Sequence, residues 1–104
     1  MKALVIKGVK EIGMIEKEKP VADERFSVIK VTHAGICGSD LHMLWGAGYI
    51  IRPDYVIGHE FAGEVVEVGS DVHTVKVGDR VSSESHIACN NCQVCREGNR
   101  HVCP

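Results

Sequence analysis

Apolar residues along this chain fall in short runs broken by glycine, aspartate and charged residues. Lys2 to Lys7 encloses Ala3, Leu4, Val5 and Ile6. Glu11 to Glu16 carries Ile12, Met14 and Ile15. Phe26 to Thr32 offers Phe26, Val28 and Ile29 as candidate core residues. Phe61 to Val68 and Arg80 to Ser83 complete a set of five runs rich in Val, Ile and Thr, the residues that fit a pleated, half-buried surface. Gly69-Ser70-Asp71 and Gly78-Asp79 punctuate them as turns. One segment, Gly38 to Trp45, has the character of a short helix, with Ser39 or Asp40 near its N-cap. Short strands with turns between them predict a mainly β fold, a small barrel or sandwich.

Composition narrows the picture. With 104 residues the chain is long enough for one domain with a modest core. Its 44% hydrophobic and 25% charged content is that of an ordinary globular chain. A net charge of −2 and no cluster of Lys and Arg argue against a nucleic-acid partner. No apolar run approaches the roughly 20 residues that span a bilayer, so no membrane partner is expected. The opening Met1-Lys2-Ala3-Leu4-Val5-Ile6-Lys7 is too short and too soon charged for a signal peptide and reads as a first strand, which predicts a cytoplasmic protein.

Five cysteines are many for this length, and four of them crowd between Cys89 and Cys103. An odd number, with no export signal, points to metal rather than disulfides. Cys89, Cys92, Cys95 and Cys103 follow C-x2-C-x2-C-x7-C. Thiolates this closely spaced can surround one ion, and Zn²⁺ takes four of them in closed structural sites. Arg96, Arg100 and His101 lie in the same loop and could offset the thiolates' charge, and Gly98 supplies a turn. The rival is an iron–sulfur cluster, whose bacterial ferredoxin run ends C-x3-C-P. Cys103 is followed by Pro104, but the last spacing is seven rather than three, which favours zinc.

Upstream, Cys37 stands in Gly35-Ile36-Cys37-Gly38-Ser39-Asp40-Leu41-His42, and His59 in Gly58-His59-Glu60. A thiolate and an imidazole from two loops, with a carboxylate adjoining, form the kind of ligand set that leaves one position on zinc open for chemistry. Asp40 could accept a hydrogen bond from a ligand imidazole, and Ser39 and His42 could pass a proton to solvent. Spacing alone leaves the bland alternative open, since a lone cysteine is more often a small buried hydrophobe.

Taken together, His33 to His42, Gly58-His59-Glu60-Phe61-Ala62-Gly63-Glu64-Val65, Val77-Gly78-Asp79-Arg80-Val81 and the four-cysteine loop resemble the zinc-dependent medium-chain dehydrogenase/reductases, the alcohol dehydrogenase family. The resemblance covers nearly the whole chain. It implies a GroES-like, partly open β-barrel with short helices and a zinc-binding loop. It implies Cys37 and His59 as ligands of a catalytic zinc, with Glu60 beside the metal and able to ligate it. It implies Cys89, Cys92, Cys95 and Cys103 as ligands of a structural zinc. Ser39 matches the position that hydrogen-bonds the alcohol oxygen, and His42 a proton-relay position. His33, His73, His86 and His101 match no ligand position and are expected at the surface or in structural roles. The family reaction is reversible oxidation of an alcohol, with hydride passed to NAD or NADP. Glu84 to Cys89 is similar to threonine dehydrogenases, whereas Cys37 to His42 is closer to the polyol and secondary-alcohol branch. Trp45, Tyr49 and Tyr55 could line a substrate pocket or simply pack on the barrel.

No G-x-G-x-x-G stands between a strand and a helix, and a Rossmann domain is expected to be absent from this chain. Residues 1–104 are thus expected to be the N-terminal part, truncated, of a GroES-like catalytic domain including the zinc loop 89–103. Alone it is expected to be inactive, with its catalytic zinc weak unless Glu60 serves as a ligand. The full-length enzyme is expected to act on a small-molecule alcohol as a homo-oligomer. A competing reading is a non-catalytic zinc module for binding or assembly.

Overall fold

A computed structural model describes residues 1–46, 52 and 54–104. Among the described residues, six strands form two three-stranded sheets. In the first, β1 (Lys2–Gly8) is central, flanked by β2 (Glu11–Glu16) and the two-residue β4 (Tyr55–Val56), both antiparallel to it. In the second, β5 (Phe61–Val68) is central, between β3 (Ser27–Ala34) and β6 (Arg80–Ser82), again antiparallel. Among the described residues no strand pairing joins the two sheets, so the β structure is an open one, as a partly open barrel requires. Two short helices, α1 (Gly38–Leu44) and α2 (Gln93–Arg96), and a 3-10 turn at Arg100–Val102 complete the elements.

Alternation places the core. Ala3, Val5 and Ile6 of β1 and Val65 of β5 are buried, with Cys95 and Asp40. Gly63 of β5 is buried, and its lack of a side chain lets β3 approach, since a Cβ there would run into the carbonyl oxygen of Lys30 and come within 2.8 Å of Ile29 Cγ2. Hydrophobic burial is shallow elsewhere. Phe26 precedes β3 and is 50% exposed, so it is not the core residue the pattern suggested, while Val28 and Ile29 are half-buried. The accessible surface is 8170 Å², against about 5,800 Å² for a compact monomer of this mass.

Three local details depart from the sequence reading. β4 was not anticipated, because two residues carry no periodicity. β3 runs on to Ala34, and β6 stops at Ser82 although the Ser83 N–H still donates to the Phe61 carbonyl. Helix α1 is capped by Cys37 rather than by Ser39 or Asp40, and Asp40 sits at the third helical position with its carboxylate accepting from the Cys37 N–H, a reciprocal capping box.

Candidate metal centres

Strand register assembles the first centre. β3 and β5 pair Ala34 with Phe61, and the Gly35 N–H extends the ladder by donating to the Glu60 carbonyl at 2.8 Å. The residues just after β3 and just before β5 therefore leave the sheet at the same end. Cys37 and His59-Glu60, 22 positions apart in sequence, meet there. The Cys37 thiol, a His59 ring nitrogen and a Glu60 carboxylate oxygen all lie within 4.8 Å of one another.

The surroundings of His59 decide which nitrogen is free. Nδ1 faces Asp40 Oδ1 at 3.4 Å, and Nε2 faces Ser39 Oγ at 3.3 Å. Asp40 is 5% exposed, and its other oxygen, Oδ2, accepts the Cys37 N–H at 2.9 Å. Oδ1 has no hydrogen-bond partner apart from this long approach to Nδ1. A buried carboxylate oxygen without a donor is costly, and a proton fixed on Nδ1 would satisfy it. That proton leaves the Nε2 lone pair for a metal, the arrangement of a carboxylate–histidine–zinc triad. The donor set and the orphaned oxygen both fit a zinc ion.

Ser39 is thus adjacent to the free nitrogen. His42 lies one turn further along α1, on the same face as Ser39, and is exposed. The structure does not bring it into hydrogen-bonding contact with Cys37, His59 or Glu60 among the described residues. Trp45 caps the C-terminus of α1, with Lys10 Nζ 5.6 Å from its ring centroid, and so packs against the β1–β2 turn. Tyr55 is an exposed residue of β4, and Tyr49 lies outside the described residues. A 580 Å³ cavity opens over the second sheet between Thr32, His33, Glu64 and Arg80, and its lining includes none of Cys37, His59 and Glu60.

The second centre is the loop from Cys89 to Cys103. Its four sulfur atoms also lie within 4.8 Å of one another. Cys89 and Cys95 Sγ are 3.9 Å apart, and Cys92 and Cys103 Sγ 4.0 Å. Four thiolates at the usual Zn–S length of 2.3 Å stand about 3.8 Å apart along tetrahedral edges, so the thiols are already spaced for zinc. Cys92 caps α2 and Cys95 is inside it, which the sequence pattern had not indicated. Main-chain N–H groups of Asn91 and Cys92 point at Cys89 Sγ from 3.4 and 3.3 Å. They, with sulfur contacts from Cys103 and Cys92, lower the Cys89 pKa to about 6. Burial pushes the Cys95 thiol up to about 12, helped by its sulfur neighbours. Arg96 spends its guanidinium on the loop itself, donating from Nε to the Asn91 carbonyl at 2.8 Å, rather than bonding a sulfur. His33, His73, His86 and His101 are all exposed and belong to neither centre.

Two contacts at the first centre escaped the sequence reading. Ser83 Oγ donates to the His59 carbonyl at 3.0 Å, and the absent side chain of Gly35 leaves room for the Glu60 carboxylate, 3.1 Å from where a Cβ would stand. Neither a lone serine after a strand nor one glycine among 11 carries a signal of its own.

Residues 24–103 match the alcohol dehydrogenase GroES-like domain family. An L-threonine 3-dehydrogenase from Caldanaerobacter subterraneus subsp. tengcongensis is 47% identical over 93 residues, which is 86% of this chain and 27% of that protein. The fold is similar to an alcohol dehydrogenase from Thermus sp. ATN1, with a TM-score of 0.90 at 36% identity, covering 99% of this chain and 30% of that one. It is also similar to CAD from Helicobacter pylori, solved with NADP(H), with a TM-score of 0.87 at 29% identity, covering 98% and 30%. The chain thus spans under a third of the length of these relatives. It belongs to the alcohol dehydrogenase GroES-like domain family.

Proposed function

We propose that these residues form the zinc-binding catalytic domain of an NAD(P)-dependent dehydrogenase that oxidises a secondary alcohol, in the manner of L-threonine 3-dehydrogenase. The observation that carries the reading is the first centre: Cys37, His59 and Glu60 converge, and a buried carboxylate oxygen of Asp40 faces His59 Nδ1. A module that used zinc only for structure would have no need of a second centre offering three protein ligands.

Cys37, His59 and Glu60 would hold the metal, and the loop cysteines would hold a second, structural ion. Zinc at the first centre supplies Lewis-acid polarisation of the substrate oxygen. The chain's own residues do the rest. Asp40 keeps the Nδ1 proton in place and so keeps Nε2 a ligand. The Ser39 hydroxyl, already against Nε2, is placed to accept a hydrogen bond from the substrate hydroxyl and to relay its proton, releasing its own towards solvent as it does so. A nicotinamide cofactor would supply the acceptor for the carbinol hydride, and the alcohol would leave as a ketone. His42, exposed one turn along α1, would pass the proton on to water only after a side-chain movement.

The test is NAD(P)H formation from L-threonine and from simple secondary alcohols by the full-length protein carrying these residues. Turnover that is lost in Cys37→Ser supports the reading. Turnover unchanged by Cys37→Ser removes the first centre from the chemistry.

A further inference from the structure

We propose that Ser83 is a positioning residue for the first metal centre, holding the His59-Glu60 peptide in the orientation that makes both side chains ligands; this rests on the zinc reading of that centre. Three consecutive carbonyls run through the ligand-bearing segment, at His59, Glu60 and Phe61. Each is held from another strand end. The Glu60 carbonyl accepts the Gly35 N–H at 2.8 Å, and the Phe61 carbonyl accepts the Ser83 N–H at 3.2 Å. The His59 carbonyl accepts the Ser83 hydroxyl at 3.0 Å. Two of the three anchors come from Ser83, and only the hydroxyl depends on which residue stands there.

The need for an anchor lies on the other side of His59. Gly58 has φ of +104°, a conformation that glycine adopts freely and other residues rarely do. With that joint before it, and with the ladder's last bond falling on the Glu60 carbonyl, the 59–60 peptide lies just ahead of the paired backbone. Displacement of the 59–60 backbone would carry the imidazole away from Asp40 and the carboxylate away from Cys37 together. β6 is antiparallel to β5, with Ala62 opposite Ser82, so Ser83, the residue after β6, falls beside Phe61 and its hydroxyl reaches back to the segment preceding β5. Ser83 is half-buried there, which shields its hydrogen bond from exchange with water.

The test compares Ser83→Ala, Ser83→Thr and Ser83→Val by cobalt titration with the four-cysteine loop filled with zinc, reading the thiolate-to-cobalt absorption of the first centre. Threonine and valine have the same shape and differ by the hydroxyl, so packing effects cancel between them. The expected result is near wild-type affinity and spectrum for Ser83→Thr. Ser83→Ala and Ser83→Val should bind cobalt about tenfold more weakly, with an altered absorption envelope. Equal affinities for the threonine and valine variants would overturn the proposal while leaving the metal reading intact. A wild-type protein whose first centre takes up no cobalt would overturn both.

Discussion

Replacing Asp40 by asparagine separates the two tasks of one carboxylate. Oδ2 accepts the Cys37 N–H at 2.9 Å, and Oδ1 faces His59 Nδ1 at 3.4 Å. The asparagine carbonyl can keep the first contact, so the capping of α1 and most of the folding stability survive. Its amide nitrogen then faces Nδ1. A donor opposite a donor is repulsive, and the imidazole escapes by moving its proton to Nε2, the nitrogen needed for the metal. Losing an outer-shell carboxylate of this kind costs about 10–100-fold in metal affinity, which is about 1.4–2.7 kcal/mol. Asp40→Ala should show the same loss of affinity and also lose the cap, lowering folding stability by about 1 kcal/mol more than asparagine does. Competition with a chromophoric chelator at pH 7 gives the affinities, and urea denaturation of the metal-free protein gives the stabilities. An asparagine variant binding zinc within twofold of wild type would show that Asp40 does not set the His59 tautomer.

Other substitutions probe the remaining structure. Val65→Ala removes two carbons from a fully buried position at the centre of β5, costing about 2–3 kcal/mol from lost transfer energy and the cavity left behind; Val66→Ala, 43% exposed, should cost far less in the same urea titration. Asp79 closes the turn before β6, accepting from the Lys76 ammonium at 2.6 Å and from the Lys76 N–H at 3.0 Å, and these contacts hold its pKa below the ordinary 3.8. A depressed carboxylate pKa gives stability that is present above 3.8 and lost as pH falls through the folded-state value, so Asp79→Asn should be less stable than wild type near neutrality and the gap should close in acid. In the cysteine loop, zinc must displace the proton of Cys95, whose pKa is about 12, while Cys89, at about 6, is mostly thiolate at pH 7. Zinc affinity of the loop should therefore rise at least about tenfold per pH unit through neutrality; a pH-independent affinity would contradict the assignment.

Much of this was readable from the chain because the informative residues are close in sequence or gathered in short apolar runs between turns. The four cysteines span one loop, so their spacing alone forecast a shared ion, and the structure brings their sulfurs together. The strand runs at Lys2, Glu11 and Phe61 appear nearly where their β-branched composition and flanking turns placed them. The first centre was harder. Cys37 and His59 become neighbours only through the β3–β5 register, which a sequence does not display, and the family resemblance rather than spacing brought them together. Cys37 as a helix cap was hidden because cysteine is not a usual capping residue, although Asp40 three positions later completes the box. Phe26 misled because a large aromatic at a strand start reads as core, whereas here it lies on an open apolar groove with Val21 and Val31. Ser83 and Gly35 act through backbone contacts, which leave no pattern in side-chain chemistry.

Metal content distinguishes two proposed zinc centres of different kind in one chain from any single-metal alternative. Protein purified without chelator should contain two zinc ions per chain and no iron. Cys37→Ser should retain one, and Cys89→Ser should lose the other. Iron with acid-labile sulfide would rule out zinc at the cysteine loop, and a wild-type content of one zinc unaffected by Cys37→Ser would rule out a metal at Cys37, His59 and Glu60.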